Sequence, residues 1–179
     1  MRWIGLICFI MAAGSCSEDV YFIPGTGQLP DCTEAPILNL DGSLWYDNGT
    51  VTILSEGCEG ASPGQDFESC GLDWAFTQEG NDVTIIVDSE YRIEGRLCGD
   101  QLYLRGGWWL PVVDEDLGSC TYDEDSAEEV GILQEGNVLT VRPDVPLAPG
   151  VEQTEDLMTG TLQVRGRCAG QYEVTFRRK

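Results

Sequence analysis

Short runs of β-branched and aromatic residues, each cut off by Gly with a turn-forming partner, recur along this chain from about residue 41 onward. Leu44-Trp45-Tyr46 is followed by Asn48-Gly49, and Gly80-Asn81 precedes Val83-Thr84-Ile85-Ile86-Val87. Gly99-Asp100 separates Tyr91-Arg92-Ile93 and its continuation from Leu102-Tyr103-Leu104. Strands send alternate side chains to opposite faces, and two-residue turns built on Gly and Asn join antiparallel neighbours, so each stretch reads as a hairpin. No long stretch carries apolar residues at a 3.6-residue period between caps, which makes helix scarce. The expected class is all-β.

Two stretches match one another. Gln78-Glu79-Gly80-Asn81-Asp82-Val83-Thr84-Ile85 aligns with Gln134-Glu135-Gly136-Asn137-Val138-Leu139-Thr140-Val141, with Asp88 and Asp144 at the same offset beyond. Cys98 and Gln101 ahead of Leu102 and Leu104 align with Cys168 and Gln171 ahead of Tyr172 and Val174. Trp45 opens the first copy and Trp108 or Trp109 the second, which also holds a Pro- and acid-rich insertion from Pro143 to Asp156. Identities at constant spacing point to an internal repeat, residues 41–105 and 106–179. Two copies of roughly four strands give about eight, a number that closes into a small barrel, although a two-sheet sandwich would pattern alike. The order of a Trp strand, a strand ending in Gly-Asn, and a Gly-containing strand with a closing hairpin resembles the lipocalin-like barrels of bacterial lipoproteins over residues 41–178. That resemblance implies a barrel whose mouth takes a small apolar ligand.

The N-terminus supplies an address. Met1 and Arg2 precede an apolar stretch from Trp3 to Ala13, and the small residues Gly14 and Ser15 stand just before Cys16. This is the layout of a secretory signal peptide over residues 1–15, too short for a transmembrane helix of roughly 20 residues. Ala13-Gly14-Ser15-Cys16 resembles the lipobox of bacterial lipoproteins, with Ala13 where the family prefers Leu. The resemblance implies a diacylglyceryl anchor on Cys16 after cleavage, and Ser17 rather than Asp after it implies the outer membrane of a Gram-negative envelope. Ala13 and Ser15 also suit ordinary signal peptidase cleavage. Residues 16–31, with Ser17, Glu18, Asp19, Pro24, Gly25, Gly27 and Pro30, read as a flexible tether, and residues 32–179 as the folded domain.

Eight Cys are present. Cys8 leaves with the signal and a lipid would occupy Cys16, so Cys32, Cys58, Cys70, Cys98, Cys120 and Cys168 are expected to form disulfides in an oxidising compartment. Equivalent positions for Cys98 and Cys168 in the repeat suggest Cys120 as the partner of Cys168 and either Cys58 or Cys70 as that of Cys98. The Cys left over from that choice would pair with Cys32, and a local Cys58–Cys70 loop is the competing arrangement. No Cys-x-x-Cys occurs and the chain has no His, so a zinc cluster is a poor fit.

Absence of His also removes every mechanism that needs an imidazole base. No phosphate loop or Gly-x-Gly-x-x-Gly is present, and no cofactor is expected. A formal charge of −21 repels nucleic acid and anionic lipid headgroups, which leaves an acyl anchor as the membrane contact. Paired carboxylates could act on a glycosidic bond, but 31 Asp and Glu single out no pair. The densest acidic run, Asp114-Glu115-Asp116 followed by Asp123-Glu124-Asp125, offers oxygen ligands for calcium through Asp114, Asp116, Asp123 and Asp125, without the EF-hand pattern; a solvated loop is the plainer reading. Adjacent Trp108 and Trp109 would face opposite sides of a strand. The expectation is a non-catalytic envelope lipoprotein that binds a small apolar ligand or an envelope protein. The alternatives are a structural envelope protein with a filled core and, more weakly, a carboxylate-based hydrolase.

Overall fold

The computed structural model describes residues 21–22, 27–47, 50–53, 64, 66–68, 73–87, 91–106, 112–114, 119–121, 132–133, 136–165 and 170–179. These form strands β1 (Tyr21–Phe22), β2 (Leu44–Asp47), β3 (Thr50–Ile53), β4 (Asp66–Glu68), β5 (Asp73–Glu79), β6 (Asp82–Val87), β7 (Tyr91–Cys98), β8 (Gln101–Arg105), β9 (Val112–Asp114), β10 (Ser119–Thr121), β11 (Ile132–Leu133), β12 (Val138–Pro146), β13 (Thr154–Arg165) and β14 (Gly170–Arg178). No helix occurs among the described residues. The class is all-β, and the architecture is a closed antiparallel barrel of eight strands in meander order: β2, β5, β6, β7, β8, β12, β13, β14 and back to β2. The barrel, rather than a sandwich, follows from β14 pairing on one side with β13 and on the other with β2.

Gly80-Asn81 and Gly99-Asp100 are the two-residue hairpins that their sequences suggest, with Glu79 opposite Asp82 and Cys98 opposite Gln101. Gly80 and Gly99 hold φ of +62° and +58°, the positive first position that a tight turn matched to strand twist requires. Asn48-Gly49 is not such a hairpin. β2 and β3 both pair with β14 in one register, Asp47 with Phe176 and Thr50 with Glu173, so they run in line and do not pair with each other. Positions 48 and 49 themselves lie outside the described residues.

The second Gly-Asn also departs from its counterpart. β11 and β12 both lie along β13, Leu133 opposite Val164 and Val138 opposite Thr161, so the chain there makes an in-line irregularity rather than a hairpin. Buried Asn137 completes the ladder with its side chain. Gln163 N donates to Asn137 Oδ1 at 2.6 Å, and Asn137 Nδ2 donates to Gln163 O at 3.0 Å. Register differs at the closing hairpins too, because Cys98 faces Gln101 whereas Gln171 faces Gln163. The Pro143–Asp156 insertion lengthens the β12–β13 hairpin into an arm. β12 pairs with β8 only from Val138 to Thr140, yet stays paired with β13 out to Pro146. A bulge lies between Arg142 and Val145, where Asp144 takes φ +55°.

Alternation places one face of each strand inward. Trp74 and Phe76 of β5, Val83, Ile85 and Val87 of β6, Leu102 and Leu104 of β8, and Tyr172, Val174 and Phe176 of β14 are all buried. Trp74 packs on Phe176 at 4.3 Å between ring centroids and on Phe76 at 6.3 Å, while Phe76 meets Trp45 edge-on at 6.2 Å. This aromatic cluster spans the junction of the first and last strands.

The expected disulfide partners of Cys98 are corrected. Cys98 is joined to Cys32, with Cα atoms 5.2 Å apart and a sequence separation of 66. The segment before the barrel crosses the β7–β8 turn, where Ile37 N donates to Gly99 O, and this brings Cys32 against the end of β7. The arrangement that gave Cys32 to Cys58 or Cys70 is overturned with it. Cys58, Cys70 and Cys168, like Cys16, lie outside the described residues; Cys120 sits in β10 opposite Val113, its side chain undescribed.

Gly160 shares the inward face of β13 with Met158 and Leu162, opposite Leu139. A Cβ there would come within 2.7 Å of Val138 O and 3.2 Å of Leu139 Cα, backbone atoms that cannot rotate aside. Gly160→Ala is expected to cost roughly 1–3 kcal/mol of unfolding free energy, as overpacking does, measured by urea denaturation. Cys32→Ala with Cys98→Ala is expected to cost about 4 kcal/mol in the same assay, the chain-entropy value for a loop of this length.

Candidate functional site

Each barrel strand runs between two ends of unlike construction. One end, the base, carries the turns at Gly80 and Gly99, the start of β2 and the end of β14. Across it lies the segment from Pro36 to Ser43. Leu40 enters the barrel with no exposed surface, its N–H donating to Gln78 Oε1 at 2.7 Å, and Gly42 N donates to Phe76 O at 2.9 Å. Buried Ser43 accepts from Trp45 Nε1 at 2.8 Å and donates to Leu40 O, so each polar atom of this plug that enters the interior is paired. At the opposite end, the rim, β6 stops at Val87, β8 at Arg105 and β13 at Arg165.

Apolar side chains line the interior from base to rim. Leu40, Trp45, Leu97, Leu102, Met158 and Phe176 are wholly closed to a water-sized sphere. No water-sized space adjoins them, and the base half is packed with side chains. Leu104, Tyr172, Val174 and Leu133 retain 3–5%, whereas Ile93 and Val164, also toward the rim, retain 0% and 1%. Val83 retains 3% near the base, but it borders a groove on the outer wall. Tyr172 brings a hydroxyl to this otherwise apolar lining, and burial pushes its pKa well above the usual tyrosine value.

The outer groove, about 520 Å³, lies between residues 28–31 and the outer faces of β6, β7 and β8. Glu94 pairs with Arg92 at 3.3 Å and with Arg105, and Arg96 pairs with Asp82 at 2.7 Å. The same guanidinium groups hold the incoming chain: Arg96 Nη1 donates to Pro30 O at 3.1 Å and Arg105 Nη1 to Gly27 O at 3.4 Å. Asn81 Nδ2 donates to Glu34 O at 2.9 Å and to Leu97 O at 2.6 Å. Cations and carboxylates are matched here, which suits a clasp for the chain better than a site for an anion. Within the stretch read as tether, Gly27–Asp31 rest on the barrel wall and β1 pairs with β7. Isolated Gly and Pro signalled only the lack of regular structure, and the partners that fix them stand 66 and 78 residues away.

Of the acidic residues considered for calcium, Asp114 lies in β9 opposite Ser119, and Asp116, Asp123 and Asp125 fall outside the described residues. Among the described residues, no three of His, Cys, Asp and Glu come together as a metal site. Trp108 and Trp109 also fall outside the described residues. Sequence reading missed the plug and the clasp of Arg96 and Arg105. Alternation of charge with apolar residues in Tyr91–Arg105 signalled an outward polar face, not its use. Comparison with protein-family models, curated proteins and solved structures gives no match.

Tyr172 sets a test in alkaline solution. Its folded-state pKa lies above the unfolded value near 10, so its contribution is intact below that pH and is lost as pH rises beyond it. Stability is expected to fall by about 1.4 kcal/mol per pH unit above pH 10 from this group until it ionises in the fold. Tyr172→Phe should flatten that slope in denaturation curves measured between pH 9 and 11.

Proposed function

We propose that the chain is an exported envelope lipoprotein, anchored through a diacylglyceryl group on Cys16, whose barrel is a non-catalytic, lipocalin-like module for a small apolar ligand. The observation that carries the ligand is the closed eight-stranded barrel, plugged at the base by Leu40 and lined by apolar side chains up to its rim. Eight strands give an interior of the size that is either filled by side chains or holds one small ligand. Support for the anchor comes from the order Ala13-Gly14-Ser15-Cys16 behind an apolar run and from the even set of Cys that lipidation leaves. A second reading, a structural envelope protein with a filled core, is favoured by the closed packing from Leu40 to Met158.

N-Phenyl-1-naphthylamine, a neutral apolar fluorophore that the acidic surface does not repel, separates the two. Saturable one-to-one enhancement is expected, with energy transfer from Trp45 and Trp74 inside the barrel. Val174→Trp, which adds volume at the rim half of the lining, should weaken it by about tenfold or more, equal to 1.4 kcal/mol, with the β-sheet circular dichroism retained. No saturable enhancement in the folded parent protein would sink the ligand reading and leave the filled scaffold. Intact mass of the protein from its host's membranes, before and after reduction, checks the address: a diacylglyceryl mass on Cys16 is expected, with six further thiols freed only by reduction. An unmodified, soluble chain would overturn the anchor.

A further inference from the structure

We propose that the anchored barrel stands with its rim toward the bilayer and its base, with the β12–β13 arm, directed away. The inference rests on Cys16 carrying the lipid. The argument is one of reach. β1 runs parallel to β7 beside its first residues, Tyr21 opposite Tyr91 and Phe22 opposite Arg92. β7 starts at the rim and ends at the base with Cys98, so the chain arrives from the membrane at the rim. From Cys16 to Tyr21 the chain can span no more than about 18 Å at 3.6 Å per residue.

An inverted barrel needs far more. β7 covers about 23 Å from Tyr91 to Cys98 at 3.3 Å per residue. Beyond the base, the arm from Thr140 to Pro146 adds about 20 Å. A strand tilt near 40° still leaves a height above roughly 30 Å, which the tether cannot bridge. The arm keeps its direction because β14 holds its root: Arg178 pairs with Asp156 at 3.0 Å and Arg177 with Glu155. Asp156 also accepts from Asp144 N at 3.2 Å, at the bulge.

What holds the entry point at the rim is the short β1–β7 pairing, and behind it the clasp. Arg105 and Arg96 grip Gly27 and Pro30 along the wall before the chain reaches its disulfide at Cys32. Without them only the short β1–β7 pairing ties the chain ahead of Cys32; once that lets go, Cys16 to Cys32 is a reach of about 58 Å, and the barrel could turn over. In the clasped state the rim-side lining faces lipid, the natural store of an apolar ligand. The exposed Leu147 and Val151 at the arm's tip face the compartment.

The test uses the full acylated protein, its lipid verified by intact mass, in phosphatidylcholine vesicles with an acceptor dye on the headgroups. A donor is attached through a bio-orthogonal amino acid at exposed Gln171, near the rim, or at Ala148, at the arm's tip. Transfer from Gln171 is expected to exceed that from Ala148 by at least about twofold, given a height difference near 30 Å. Arg96→Ala with Arg105→Ala should bring the two efficiencies together while the acyl mass is unchanged. Equal or reversed transfer in the clasped, acylated protein would overturn the orientation alone. A chain without the acyl mass would overturn the orientation together with the anchor on Cys16.

Discussion

Pairing between β14 and β2 is the contact on which the barrel depends. Every other junction of the barrel joins residues no further apart than Gln101 and Thr140, whereas this one joins residues roughly 130 apart and so carries a loop-closure cost of about 4 kcal/mol. The strongest packing gathers where that cost falls. Trp45 on β2, Trp74 and Phe76 on β5, and Phe176 on β14 stack across the seam. Lys179 N continues the ladder to Leu44 O, and its ammonium group meets both oxygens of Asp73 at 2.6 and 2.8 Å, with the Tyr46 ring 5.0 Å away. An acidic chain with a single lysine places it where the seam ends. Closure also removes two sheet edges, each of which would otherwise present a row of unpaired backbone groups to a second copy.

Class, strand number and the two tight hairpins were legible because they rest on local rules. Period-two alternation in Val83-Thr84-Ile85-Ile86-Val87 and Gly at the first turn position specify their neighbours directly. Asn48-Gly49 misled, since the strands on either side of it both pair with β14 in one register and not with each other. At Gly136-Asn137 the deciding contact is with Gln163, which no local rule reaches. The disulfide was misjudged for a related reason. Symmetry between sequence copies was allowed to choose partners for Cys98, yet its partner came from a segment outside both copies. The plug at the base and the clasp along the wall were therefore the least legible parts of the candidate site.

A barrel of repeated hairpins has no intrinsic reason for two unlike ends. The segment ahead of β2 supplies the difference by doing three things in order: it enters beside β7 at the rim, lies along the wall, and folds under the base with Leu40 inside. Its composition suits that path. Pro30 has no N–H to satisfy and Gly27 no side chain to accommodate, so what each presents to the wall is a carbonyl oxygen, and Arg96 and Arg105 donate to both. Irregular chain, held by long side chains already paired to Glu94 and Asp82, gives the barrel its polarity without disturbing the pairing around it.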